Sequence, residues 1–104
     1  MHESAVLTSV LKYLGHRSAV RCWRNNTGRI ADRHGRVVSF GLVGSADVIG
    51  MRRGGTFLAV ECKSSTGRQS EAQRNFQKMV ESMGGLYLLV RDVSDLYPWF
   101  PKET

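Results

Sequence analysis

Apolar positions recur at helical spacing near the start of the chain, where Val6, Leu7, Val10, Leu11 and Leu14 form one stripe. Residues three and four apart share a face, so the stripe predicts an amphipathic helix from Glu3 to about Leu14, with Gly15 placed to stop it. Ala19 to Trp23 reads as a short strand. From Arg24 to Arg36 the chain is polar and rich in Gly, Asn and Arg, which predicts a loop or an irregular hairpin. Val37 to Phe40 reads as another strand. Ala46–Arg52 and Thr56–Lys63 are apolar-rich runs separated by Arg53-Gly54-Gly55, a hairpin pattern with glycine available for positive φ. After the polar loop Ser64–Gln69, a second helix is expected over Ser70–Met83, with Ala72, Phe76, Met79, Val80 and Met83 on one face and Gly84-Gly85 at its end. Leu86–Val90 is apolar throughout, as in a strand covered on both faces. The segment Tyr97-Pro98-Trp99-Phe100-Pro101 is aromatic and broken by proline. The order helix, strands with a hairpin, helix, strand predicts a single α/β domain spanning 1–104.

The most informative residues lie on the hairpin's second strand, in Val60-Glu61-Cys62-Lys63. Strand side chains alternate, so Glu61 and Lys63 share a face and Cys62 points with Val60 to the other. If the hairpin closes through a three-residue loop, Arg52 faces Thr56 and Asp47 falls opposite Glu61, on the same face. Two carboxylates and a lysine then converge. Hard oxygen ligands from Asp47 and Glu61 suit Mg²⁺, which keeps several waters and can also take phosphate oxygens. Lys63 is placed to orient or deprotonate an attacking water, or to stabilise charge developing on a phosphate. An ordinary cross-strand ion pair uses the same residue types. Glu3 heads the apolar stripe of the first helix, an unusual place for an acid, although acids also favour a helix's first turn. Ser70 with Gln73 forms an S-x-x-Q capping box, which gives Gln73 either a structural job or a place at a phosphate-binding helix N-terminus.

Charge narrows the partner. The chain has 104 residues, with 15 Lys+Arg against 9 Asp+Glu and a formal net charge of +6. Its pI is near 9.9. A polyanion is the matching partner, because each Lys or Arg meeting a phosphate releases condensed counterions. Arg17, Arg21, Arg24, Arg29, Arg33 and Arg36, with only Asp32 among them, are read as a DNA-backbone surface. Cys22 and Cys62 form no CxxC pair and are expected to be reduced thiols. The sequence carries no signal-peptide pattern at Met1–Ser4 and no apolar run long enough for a bilayer, so a cytoplasmic location without membrane contact is expected. The same features leave room for a non-catalytic nucleic-acid-binding module, or for a subunit of a larger DNA-processing assembly.

Taken together, Gly44-Ser45-Ala46-Asp47-Val48-Ile49-Gly50, Leu58-Ala59-Val60-Glu61-Cys62-Lys63 and Ser70-Glu71-Ala72-Gln73 resemble the VRR-NUC branch of the PD-(D/E)XK nucleases. The resemblance runs from Glu3 to about Leu96. It implies a restriction-endonuclease-like αβββαβ core with a mixed central sheet flanked by helices. It further implies metal binding by Asp47, Glu61 and the Cys62 backbone carbonyl, with Glu3 completing the acidic site directly or through water. Lys63 is then catalytic and Gln73 supports the site. Ala46 departs from the family pattern, which has proline there. For a stand-alone phage or bacterial chain of this size the resemblance implies a homodimeric, Mg²⁺-dependent endonuclease (Mn²⁺ substituting) that acts on branched DNA such as a four-way (Holliday) junction. The aromatic segment Tyr97–Phe100 is the expected dimer contact, the alternative being that it folds back over its own sheet in a monomer.

Overall fold

The computed structural model describes residues 2–103. Helix α1 (Glu3–Gly15) leads into strand β1 (Val20–Arg24), followed by β2 (Gly28–Ala31), β3 (Val37–Phe40), β4 (Val48–Arg52) and β5 (Phe57–Cys62). Helix α2 (Glu71–Ser82), strand β6 (Leu86–Val90) and a 3₁₀ turn (Val93–Leu96) complete the order. The main sheet runs β1-β4-β5-β6, while β2 and β3 pair only with each other. Neighbours β1–β4 and β4–β5 are antiparallel and β5–β6 is parallel, so the sheet is mixed. Its elements follow one another as α-β-β-β-α-β, with the β2–β3 ribbon inserted between its first two strands.

The apolar stripe of α1 decides its seat. Val6, Val10 and Leu14 are fully buried against Val48, Leu58, Val60, Leu88 and Val90 on one sheet face. Burying each such side chain is worth about 1.5–3 kcal/mol. The other face is covered by α2 through Phe76 and Val80, packed with Ala46, Ala59 and Tyr87. Strand β6 feeds both layers, as its apolar run predicts, with Leu88 and Val90 on one side and Tyr87 on the other.

The hairpin register is the one expected. Val48 faces Val60 and Met51 faces Phe57, and the Arg52 amide donates to Thr56 O at 2.8 Å across the three-residue loop. Gly54 and Gly55 there hold φ of 95° and 92°, conformations that favour glycine.

The structure refines three expectations. Of the loop or irregular hairpin expected over Arg24–Arg36, the hairpin is found, because Gly28–Ala31 pairs in register with Val37–Phe40. The strand at Val37–Phe40 therefore belongs to a separate ribbon rather than to the main sheet. On α2 the apolar face is narrower than its sequence suggests. Phe76 and Val80, one turn apart, reach the sheet, while Met79 and Met83 lie exposed beside it. The aromatic segment folds back onto its own domain. Phe100 and Leu96 are buried in the α1 layer, Tyr97 packs on Tyr13 at 5.4 Å between ring centroids, and the Tyr13 hydroxyl donates to Phe100 O. Only Trp99 of the three aromatics stays exposed. Among the described residues no helix is long and apolar enough to cross a membrane, and both cysteines are unpaired.

A candidate metal centre at the end of the sheet

Antiparallel pairing puts the start of β4 beside the end of β5, and the functional side chains collect there. Extending the β4–β5 register by one pair sets Asp47 opposite Glu61. Glu61 lies on the face away from Val60 and Cys62, where Gln73 of α2 reaches it, and Asp47 lines a cavity with Ser4 and Leu7 of α1. Glu3 arrives from the first turn of α1. The three acids offer carboxylate oxygens within 4.8 Å of one another. Metal–oxygen bonds of about 2.0–2.6 Å place ligand oxygens up to about 5 Å apart, so this cluster could hold a metal ion.

Glu61 is the unusual member. It is 1% exposed, and its Oε2 is buried with no hydrogen-bond partner. The other oxygen accepts a long 3.3 Å hydrogen bond from Gln73 Nε2. Burial, then a side-chain hydrogen bond with Asp47 and that neighbour's charge, push the Glu61 carboxyl up to about 9. Lys63 opposes the rise, and Glu3 adds slightly to it. A buried polar oxygen without a partner is costly and rare in native proteins. In the metal-free fold a proton relieves the carboxylate repulsion, and a bound cation would replace it at this oxygen. Asp47 is fixed by its own strand pair, with Oδ2 accepting from the Cys62 amide at 2.7 Å. Burial pushes the Cys62 thiol up to about 12. The thiol therefore stays neutral, leaving the backbone carbonyl as the polar group that this residue can offer.

Gln73 takes the structural role and adds a contact to Glu61. Its Oε1 accepts from the Ser70 amide at 2.8 Å and Ser70 Oγ accepts from the Gln73 amide at 3.1 Å, closing the capping box. Its Nε2 is then free to donate to Glu61. Lys63 directly follows β5, is nearly buried, and is held by a 2.9 Å hydrogen bond from its amide to Val90 O. The loop beyond it is fastened by Arg91, whose guanidinium donates to Ser64 O and Gly67 O at 2.6 and 2.7 Å.

The six arginines are spread over several elements. Arg24 lines a cavity of about 190 Å³ at the acidic cluster, together with Glu3, Ser4, Leu7, Asp47 and Cys62. Arg29 lies on β2, and Arg33 and Arg36 lie at or beside the ribbon tip. Arg36 is tied to Asp32 by a 3.0 Å ion pair that helps close the tip. Arg17 and Arg21 sit at the far end of α1, lining a different pocket.

Sequence reasoning passed over Asn25. Its amide donates to Asp47 O at 2.8 Å, and its Nδ2 donates to Ser45 Oγ and Ala46 O at 2.8 and 2.9 Å. These bonds clamp the backbone just before Asp47, where Ala46 supplies none of proline's rigidity. The only signal was an amide residue directly after a strand, a position where Asn commonly bonds nearby backbone.

No protein-family model matches the chain, and no curated protein or solved structure matches it either.

Proposed function

We propose that the chain is a metal-dependent, structure-selective DNA endonuclease of the VRR-NUC type. Its substrate is branched DNA, a four-way junction foremost, and it acts as a homodimer in the cytoplasm of a bacterial or phage-infected cell. The observation that carries the reading is the meeting of Glu3, Asp47 and Glu61, whose oxygens lie within 4.8 Å, around a buried Glu61 Oε2 that lacks a partner. Asp47, Glu61, Glu3 and the Cys62 carbonyl would hold Mg²⁺ or Mn²⁺. When bound, such an ion polarises the phosphate and lowers the pKa of a coordinated water. The reaction adds water to phosphorus and breaks one P–O ester bond, leaving a phosphate monoester and a hydroxyl.

In this reading Lys63 orients the attacking water or takes its proton. Gln73 holds Glu61 in place, and Arg24 at the cavity rim neutralises charge on a phosphate oxygen. Arg29 and Arg33 on the projecting ribbon extend the contact along the DNA backbone. The test is purified protein with Mg²⁺ or Mn²⁺ on duplex, single-stranded, flap and four-way junction DNA. Branched substrates should be cut fastest, and chelator should stop the reaction. Asp47→Ala, Glu61→Ala and Lys63→Ala should each lower cleavage at least 100-fold, in the range lost with a key transition-state contact, while DNA binding persists. Retention of near wild-type rates by any of the three would remove that residue's role. Failure of every substrate in both metals would sink the nuclease reading.

A further inference from the structure

A second polar pocket, of about 410 Å³, lies at the opposite end of α1 and includes His16, Arg17, Ser18, Arg21, Cys22 and Glu103 in its lining. Two donors converge in it on one oxygen. The Ser18 amide and the Ser18 hydroxyl both donate to Glu103 Oε1, at 2.9 and 2.6 Å. Three guanidinium groups surround this serine. Arg17 lies over the Tyr13 ring at 4.4 Å, and its Nε is buried without a partner. Arg21 donates to Val20 O and Arg17 O, and Arg53 donates to Ser18 O at 2.8 Å. Glu103 is the one acid lining the pocket among the described residues. The hydrogen bonds from Ser18, and to a smaller degree the charge of Arg17, hold its carboxyl below the usual carboxylate range.

Paired N–H and O–H donors beside the Arg17 guanidinium form a receptor for an oxyanion, and phosphate supplies more acceptor oxygens than a carboxylate. We propose that this pocket is a backbone-phosphate subsite for bound DNA. A non-bridging phosphate oxygen takes the place of Glu103 Oε1, and Glu103 acts as a built-in competitor that swings away when DNA arrives. The proposal rests on the DNA-substrate reading above and adds a contact remote from the scissile bond.

Placement supports it. The cavity at the acidic cluster and this pocket are both lined by α1 and by β1, an edge strand of the sheet, with Arg24 at one and Val20, Arg21 and Cys22 at the other. At 1.5 Å per helical residue, α1 separates them by about 20 Å. That is less than one duplex turn of about 34 Å, within the span of a single bound duplex.

The test uses the full chain in chelator, which removes cleavage from the measurement. Inorganic phosphate is titrated into ¹⁵N-labelled protein while the Ser18 amide resonance is followed, and junction binding is measured over a salt series. Glu103→Ala should let the Ser18 amide respond to phosphate at lower concentration than in the wild type. It should also tighten junction binding about 3–10-fold at low salt and steepen the log–log salt slope by about 0.9, the value for one further phosphate contact. Adding Ser18→Ala to Glu103→Ala, which removes one donor and leaves the backbone intact, should reverse most of these gains.

A silent Ser18 amide in Glu103→Ala, or unchanged junction affinity and slope, overturns the subsite. Cleavage assayed separately with Mg²⁺ keeps the two ideas apart. Cleavage with a silent Ser18 rejects the subsite alone, whereas a responsive Ser18 with tighter junction binding and no cleavage rejects the nuclease reading alone.

Discussion

Glu61 is a carboxyl whose burial and neighbours favour its neutral form, pushing it from the ordinary 4.5 up to about 9. Between those values the folded, metal-free protein holds a proton that the unfolded chain has released. Stability must therefore fall as pH rises through that window, and be unaffected by this group below it. Thermal unfolding in chelator should show a melting temperature that declines from about pH 5 toward pH 9, with other groups adding their own smaller slopes. Glu61→Gln should flatten the decline and raise stability at neutral pH, since the amide keeps the shape without the charge. An unchanged slope in that variant would mean that Glu61 is ionised in the fold. Metal binding must displace the same proton, so affinity for Mg²⁺ or Mn²⁺ should increase with pH up to about 9. Calorimetry in buffers of different ionisation enthalpy reads the proton release directly.

Single elements position this residue, and their defects are separable. The chain between β3 and Asp47 passes so close to α2 that a Cβ on Gly44 would lie 2.5 Å from Ala72 O, at a φ of +82°. Gly44→Ala combines left-handed strain with a backbone clash. It should cost about 2–4 kcal/mol, measured by urea unfolding, and it should loosen the acidic cluster. The β2–β3 ribbon poses a different question. A two-stranded ribbon has little stability by itself, and every residue of both strands is exposed here. Ile30, Val38 and Phe40 share one of its faces. Neutralising Arg24, Arg29 and Arg33 together should weaken DNA binding about equally for all sequences and flatten its salt dependence, because phosphate contacts carry no base information. An unchanged slope would reduce these arginines to a solvated surface.

At the scale of the whole molecule, the shape is elongated, 54 × 31 × 24 Å, with a radius of gyration of 14.7 Å against about 13 Å for a compact chain of this length. The aromatic segment meant to join two copies is mostly spent inside its own domain, so the apolar surface left for a partner lies elsewhere. It includes Ile30, Val38 and Phe40 on the ribbon and Leu42, Val43, Met79 and Met83 around α2. A homodimer built on these surfaces should sediment as one species of twice the chain mass at micromolar concentration. Phe40→Asp should convert it to monomer, whereas Trp99→Ala should not. A wild-type protein that stays monomeric at that concentration ends the dimer reading. If the dimer holds, mixed dimers of wild-type and Asp47→Ala chains should nick a four-way junction on one side without resolving it.

Local pattern alone was enough for the parts of this protein governed by neighbours in sequence. The 3.6-residue stripe specified α1 and its buried face, the Ser70–Gln73 box specified the start of α2, and Arg53-Gly54-Gly55 specified a hairpin register that aligned Asp47 with Glu61. Those outcomes follow from backbone geometry over a few residues. Contacts across the chain decided the rest. Val37–Phe40 pairs with Gly28–Ala31 in a ribbon apart from the main sheet. The aromatic segment turned inward because α1 left room for Phe100 and Leu96, and Gln73 turned out to cap a helix and hold Glu61 at once. The depth at which Glu61 is buried, and with it the loss of solvent that lifts its pKa, exists only once two layers close over the end of the sheet. Desolvation depends on the whole packed surroundings, which no stretch of sequence carries alone.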